Sequence, residues 1–194
     1  MLHEADTRLP VAEIFYSIQC EGYHAGTAAV FVRLAGCNLR CPWCDTDHKA
    51  NEHLTAIAIA EQVASLFPGN SLSLVVLTGG EPTIHDLSYL IGELQDRNMY
   101  IALETNGTRP LPRGLHWITF SPKPECQYDL SSMQCNEVKV VLDGVIDPEP
   151  FLQVAAGQHF IQPCSEDFGP AVQYVKEHPQ WRLSVQLQKL LKIQ

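Results

Sequence analysis

Cys37, Cys41 and Cys44, in the run Gly36-Cys37-Asn38-Leu39-Arg40-Cys41-Pro42-Trp43-Cys44-Asp45-Thr46, form a C-x3-C-x2-C array. Iron–sulfur clusters normally take four thiolates; three at this spacing would hold a four-iron cluster and leave one iron without a protein ligand. An open iron can bind a small molecule, such as the amino and carboxylate groups of S-adenosylmethionine, and a low-potential electron can then cleave it. The competing reading is a structural metal site closed by the same cysteines and the nearby His48. Cys20, Cys126, Cys135 and Cys164 complete an odd total of seven cysteines. Their spacing shows no ligand motif, so they read as unligated packing thiols.

The array needs a frame, and the chain supplies alternating elements. Strands are expected at Ala29–Leu34, Leu72–Leu77, Tyr100–Leu103, His116–Phe120 and Glu137–Leu142, with shorter ones near Phe160–Ile161 and Leu183–Val185. Helical patterns run through Ile57–Phe67, through Leu87, Leu90, Ile91 and Leu94, and around 149–155 and 168–177. Strands alternating with helices predict an α/β fold with a mostly parallel sheet, whose ligands gather at the carboxyl ends of the strands. The polar motifs stand there. The cysteine loop, Thr78-Gly79-Gly80-Glu81-Pro82, Glu104-Thr105-Asn106-Gly107-Thr108 and Ser121-Pro122-Lys123 each follow a predicted strand.

Thr78-Gly79-Gly80-Glu81-Pro82 is glycine-rich where a side chain would block close approach, and it offers amide hydrogens and one carboxylate suited to a ligand's carboxylate and ammonium. A tight strand-to-helix turn explains it equally well. Glu137 and Lys139 alternate on one strand; a solvated pair is the simpler placement, the interior of a barrel the other.

Composition narrows the class. At 194 residues and 45% apolar content the chain is long enough for one domain with a sizeable core, and a single domain spanning 1–194 is expected. A net charge of -9 argues against a nucleic-acid partner. No apolar run approaches the length of a membrane span, and Met1-Leu2-His3-Glu4-Ala5-Asp6 lacks the regions of a signal peptide, so the cytoplasm is the expected compartment.

The cysteine array followed by a Thr-Gly-Gly-Glu-Pro strand end resembles the radical S-adenosylmethionine (radical SAM) superfamily, which implies a partial β/α barrel with a 4Fe-4S cluster on Cys37, Cys41 and Cys44. More narrowly, Phe15-Tyr16-Ser17-Ile18-Gln19-Cys20-Glu21-Gly22, Phe31-Val32-Arg33, Cys44-Asp45-Thr46, Glu104-Thr105-Asn106-Gly107-Thr108, Ser121-Pro122-Lys123 and Gln186 resemble the 7-carboxy-7-deazaguanine synthase family of the queuosine and 7-deazapurine pathway. That resemblance implies a carbon–nitrogen lyase converting 6-carboxy-5,6,7,8-tetrahydropterin to 7-carboxy-7-deazaguanine with loss of ammonia. A 5′-deoxyadenosyl radical would take hydrogen from C6 of the pterin and return it after ring contraction. The resemblance also implies a homodimer and an electron donor such as flavodoxin or ferredoxin.

Carried onto this sequence, Trp43, Cys44, Asp45, Gly80, Ser121, Pro122, Lys123 and Gln162 match positions that contact S-adenosylmethionine. Ile18, Gln19, Cys20, Arg33, Thr78 and Gln194 match substrate-contacting positions, and Thr46 matches one whose hydroxyl binds Mg²⁺. Arg33 suits the role because a guanidinium pairs with a carboxylate through two parallel hydrogen bonds. Two positions depart from the family pattern. Cys20 stands where the family usually has glycine, and would be strained if that position required positive φ. Gln188 replaces a histidine, which removes acid–base chemistry and keeps hydrogen bonding. The rival readings are an activase that installs a glycyl radical in another protein, or a non-catalytic metal-binding module.

Overall fold

The computed structural model describes residues 7–68 and 73–193. By contact the chain divides into two compact units: Met1–Ile18, Ala28–Thr105 and Arg109–His116 form the first, and Gln19–Thr27, Asn106–Thr108 and Trp117–Gln194 the second.

In the first unit the strands β1 (Arg8–Ile18), β2 (Ala28–Leu34), β3 (Glu52–Thr55), β4 (Leu74–Gly79) and β5 (Tyr100–Thr105) lie in the order β3-β1-β2-β4-β5. β1 pairs antiparallel with β2 and β3, with an irregularity between Val11 and Glu13, whereas β2, β4 and β5 run parallel. Helix α1 (Ala56–Leu66) starts where the Thr55 side chain accepts a hydrogen bond from the Ala58 amide at 3.2 Å. Its buried residues, Ala56, Ile59, Ala60 and Val63, follow the spacing of a single apolar face. Helix α2 (Ser88–Asp96) buries Leu90, Ile91 and Leu94 and gives way to Asn98, which turns the chain at φ 55°. These faces close over Val30, Val32, Leu34, Val75, Leu77, Ile101 and Leu103, all fully buried.

In the second unit β6 (Trp117–Phe120), β7 (Glu137–Leu142), β8 (Gln158–Pro163) and β9 (Arg182–Leu183) pair in parallel in that order. α3 (Gly169–Glu177) carries a proline in its first turn, and α4 (Leu187–Leu191) is a single short helix. The core gathers Phe120, Val138, Val140, Ile161 and Trp181.

β7 has the predicted bounds, and each expected strand, down to the short edge strand β9, is present within a few residues of its expected place. Part of the expected strand at 72–77, Leu72, lies outside the described residues. Among the described residues, the strands β1 and β3, the helix α4 and a 3₁₀ turn over Pro82–Ile84 were not expected. The helix expected around 149–155 is present as a 3₁₀ helix over Glu149–Gln153.

A titratable contact lies in the second unit. The half-buried His159 ring packs edge-on against Trp181 at 5.4 Å, and burial lowers its pKa from the ordinary 6.5, with carbonyls of Val154 and Phe151 opposing. Burial lowers that of His24 as well. In the window below 6.5 the unfolded chain binds more protons at these sites than the folded one, so stability falls as pH drops and levels off below the folded pKa. Thermal midpoints measured between pH 7.5 and about 5 should decline, and His159→Phe should flatten part of that slope. An unaltered slope in the variant would remove His159 from the effect.

Candidate active site

The cysteine loop leaves the carboxyl end of β2. It is pinned at its base, where Ala35 N–H donates to Pro10 O and Gly36 N–H to His48 O, each at 2.9 Å. Within it the Cys44 amide donates to Cys41 O at 3.1 Å, a tight turn across the last two cysteines, and the Leu39 amide points at Cys37 Sγ at 3.5 Å. The thiols of Cys37 and Cys41 are partly exposed and that of Cys44 is exposed. Three soft sulfurs on one accessible loop fit an iron–sulfur cluster. Among the described residues no group of three His, Cys, Asp or Glu side chains is preformed for a metal ion. His48 Nδ1 lies 3.1 Å from Thr46 O, a local backbone contact.

The glycine-rich strand end is built against this loop. A Cβ on Gly79, at φ 130°, would lie 2.0 Å from Leu34 O, and one on Gly80 would lie 1.9 Å from Gly36 O and 3.0 Å from Cys37 Cβ. Gly80 N–H donates to Leu34 O at 3.0 Å and Glu81 N–H to Gly36 O at 2.9 Å. These amides therefore tie β4 to the end of β2 instead of facing a ligand. The Glu81 carboxylate, 1% exposed, is likewise turned inward: Oε1 accepts from Thr83 N at 3.0 Å, Thr83 Oγ1 at 2.6 Å and Thr105 Oγ1 at 2.7 Å. The Gly80 and Glu81 amides and the Glu81 carboxylate thus all have partners within the fold, as a tight strand-to-helix turn requires.

Two further positions of the first unit sit at strand ends. Thr78 Oγ1 donates to Glu104 Oε2 at 3.4 Å, joining β4 and β5. Arg33 Nε donates to Glu13 Oε1 at 2.6 Å, and its guanidinium lies 5.7 Å from the centre of the Phe15 ring. Ile18 ends β1 with its side chain partly exposed, and Trp43, Asp45 and Thr46 continue the cysteine loop.

In the second unit, Lys123 Nζ folds back onto Ser121, at 2.9 Å from its carbonyl and 2.7 Å from its hydroxyl, across the buried Pro122. Gln162 is buried on β8, where its Oε1 accepts from Ser184 Oγ at 3.1 Å. Ser184 Oγ in turn accepts from the Gly22 amide at 3.0 Å. Gln19 is 8% exposed, and its Oε1 accepts from the amides of Cys20 and Glu21 at 2.8 and 3.1 Å, so the side chain stiffens its own loop. Cys20 is buried and is not among the residues with positive φ, so replacement of glycine there carries no backbone strain. Burial and the Glu21 carboxylate raise its pKa and keep the thiol protonated. Gln194 lies outside the described residues.

Glu137 and Lys139, expected as a solvated pair, are 2% and 4% exposed. β7 is flanked by β6 and β8, and nearly every residue is buried. A charge on such a strand must find a partner. Lys139 pairs with Glu21, and Glu137 Oε2 accepts from the Tyr23 amide at 3.0 Å. Glu21 also accepts at Oε1 from Gln186 Nε2 at 2.8 Å and Gln188 Nε2 at 3.0 Å. Burial pushes the Glu21 pKa up, but Lys139 and the two amides outweigh it and hold it at about 2. Sequence reasoning missed this cluster; the available signal was two charges inside a strand otherwise built of valine and leucine.

Residues 31–118 match the Radical SAM superfamily. The β/α frame with three loop thiols beyond β2 is the frame of that class, and the fold is its α/β partial barrel, mostly parallel. The chain is 45% identical to the 7-carboxy-7-deazaguanine synthase of Bacteroides thetaiotaomicron, over 94% of this chain and 97% of the relative. It is 38% identical to that of Bradyrhizobium diazoefficiens, over 94% and 98%. The crystal structure of QueE from Escherichia coli matches with a TM-score of 0.75 at 27% identity, covering 92% of this chain and 94% of that one. This chain belongs to the 7-carboxy-7-deazaguanine synthase family. Membership implies a 4Fe-4S cluster and S-adenosylmethionine. Among the described residues no helix is long and apolar enough to cross a membrane.

Proposed function

We propose that the chain converts 6-carboxy-5,6,7,8-tetrahydropterin to 7-carboxy-7-deazaguanine with release of ammonia, as a radical SAM lyase of queuosine biosynthesis. The observation that carries this reading is near full-length similarity to synthases of that name, combined with a thiol loop seated on β4 through Gly80. Cys37, Cys41 and Cys44 would hold the cluster, which when reduced supplies the electron that cleaves S-adenosylmethionine and starts hydrogen abstraction from the substrate. Trp43, Asp45, Gly80, Ser121, Pro122, Lys123 and Gln162 would bind and orient the cofactor. Ile18, Gln19, Cys20, Arg33, Thr78 and Gln194 would bind the pterin, and the Thr46 hydroxyl would contribute to a Mg²⁺ site completed by substrate oxygens and water. The reading includes a single core domain, a homodimer, the cytoplasm, and an electron donor such as flavodoxin or ferredoxin.

The chain's own work is positioning and exclusion. Glu13 and the Phe15 face hold Arg33 so that a substrate carboxylate can meet the guanidinium. The stiffened Gln19–Cys20 loop presents backbone groups, and the protonated Cys20 thiol carries no charge to compete with a bound carboxylate.

Anaerobically reconstituted protein, assayed for iron and sulfide and then incubated with reductant, S-adenosylmethionine, Mg²⁺ and 6-carboxytetrahydropterin, tests the proposal. Product is followed by mass and ultraviolet absorbance. Cluster-loaded protein that forms no deazaguanine product would reject the reading, and zinc in place of iron would favour a structural module. Arg33→Ala should weaken pterin binding by about 2–5 kcal/mol if it pairs with a desolvated carboxylate. Equal affinity of variant and wild type would remove Arg33 from the site.

A further inference from the structure

Helix α4 (Leu187–Leu191) poses a physical problem. It has five residues, none of them buried, and no side-chain N-cap, while Leu190 and Leu191 are 58% and 57% exposed. A helix this short is unstable alone, and helices in proteins are usually held by an apolar face, which α4 lacks. Gln186, Leu187 and Gln188 reach two consecutive residues of the second unit instead. Leu187 N–H donates to Cys20 O at 3.2 Å, and the Gln186 and Gln188 amides donate to Glu21 Oε1. The remaining carboxylate oxygen, Glu21 Oε2, is taken by Lys139.

The far side of this contact is rigid. Lys139 lies on β7 between two paired strands. Gly22, at φ 65°, is pressed so closely to β7 that an added Cβ would fall 2.1 Å from Glu137 Oε1. Its amide is bound by Ser184 Oγ, and the next amide, that of Tyr23, by Glu137. Because Gln188 must turn Nε2 to the carboxylate, its Oε1 faces away, buried and without a hydrogen-bond partner among the described residues. A buried polar atom left unpaired has a cost, and the contact with Glu21 is strong enough to bear it.

We propose that the buried Glu21–Lys139 ion pair is a latch that clamps α4 onto the Gln19–Cys20 loop through Gln186 and Gln188, making Glu21 and Lys139 positioning residues for substrate binding. This rests on the assignment of Gln19 and Cys20 to the pterin site. Charge is what makes the latch effective: hydrogen bonds to an ionised acceptor are about twice as strong as neutral ones, and Lys139 keeps Glu21 ionised. Opening the latch frees the helix and softens the loop, which weakens substrate binding while leaving the cofactor chemistry to other residues.

The test uses the reconstituted full chain and two variants. Gln186→Ala/Gln188→Ala cuts the latch from the helix side and leaves the buried ion pair intact. Glu21→Gln/Lys139→Met removes both charges with little change of volume, a replacement that buried ion pairs often tolerate. Hydrogen exchange of the 187–191 amides should accelerate about tenfold or more in both variants at unchanged thermal midpoint. The KM for 6-carboxytetrahydropterin should rise about tenfold with kcat within about threefold, and Lys139→Arg, which keeps the charge, should stay near wild type in both readouts. Wild-type protection of 187–191 in a folded variant would overturn the proposal, as would lost protection with an unmoved KM. Should the charge-removal variant fail to fold, the glutamine variant decides. Failure of the wild-type enzyme to turn over the pterin rejects the assigned reaction instead, and the exchange result still reports on the latch.

Discussion

Gly80→Ala should yield a chain that folds and does not retain its cluster. The added methyl would stand 1.9 Å from Gly36 O, a contact that real side chains do not make, and in a tight contact of 3.0 Å with Cys37 Cβ. Backbone on both sides is fixed, since Gly80 N–H is bonded to Leu34 O and Glu81 N–H to Gly36 O. Relief can come only by displacing the segment that carries the first cysteine. Overpacking of this kind costs about 1–3 kcal/mol, which a domain of ordinary stability survives. A cluster held by three protein thiolates has no spare ligand, however, and one displaced sulfur should cut iron and sulfide retained after anaerobic reconstitution several-fold. Wild-type iron content in the purified variant would show that the loop accommodates the methyl, and would sink the argument that Gly80 shapes the cluster site.

Glu81→Ala should damage the fold itself. The carboxylate serves three donors, Thr83 N, Thr83 Oγ1 and Thr105 Oγ1, at a position 1% exposed. Alanine takes this acceptor from the buried Thr105 hydroxyl and from the half-buried Thr83 amide and hydroxyl, and orphaned buried groups cost about 1–3 kcal/mol each. A total near 3–5 kcal/mol should lower the thermal midpoint by roughly 10 °C for a chain of this size. Glu81→Gln, which keeps one carbonyl acceptor, should lose less. Had the carboxylate faced a ligand, as the sequence motif suggests, alanine would weaken cofactor binding and spare the midpoint; an unchanged midpoint would restore that view.

The contrast between these glycine-motif residues shows what could be read in advance. β7, α1 and α2 were legible because their apolar positions follow the period of their structure, and β4 and β5 because short apolar runs end at polar punctuation. β1 was not, although its end carries the family-like Phe15–Gly22 run: Pro10, Glu13 and alternating half-buried residues blur the pattern of a strand held by antiparallel neighbours on both sides. α4 was invisible because it has no buried face, and a five-residue helix secured by polar bonds to Cys20 and Glu21 leaves no periodic trace.

The site divides along the same line. The sequence by itself determined that three cysteines share one loop, since the C-x3-C-x2-C spacing keeps them together whatever the surroundings, and that a glycine pair ends the next predicted strand. Only the tertiary structure decided what those glycines do, because whether an amide or carboxylate meets a ligand or another strand depends on residues far away in the chain: Leu34 and Gly36 take the amides, Thr105 the carboxylate. It also decided that Lys139 is buried. The sequence shows a charge on a strand, but the cost of burying it is met by Glu21, 118 residues away, and no local pattern encodes such a pairing.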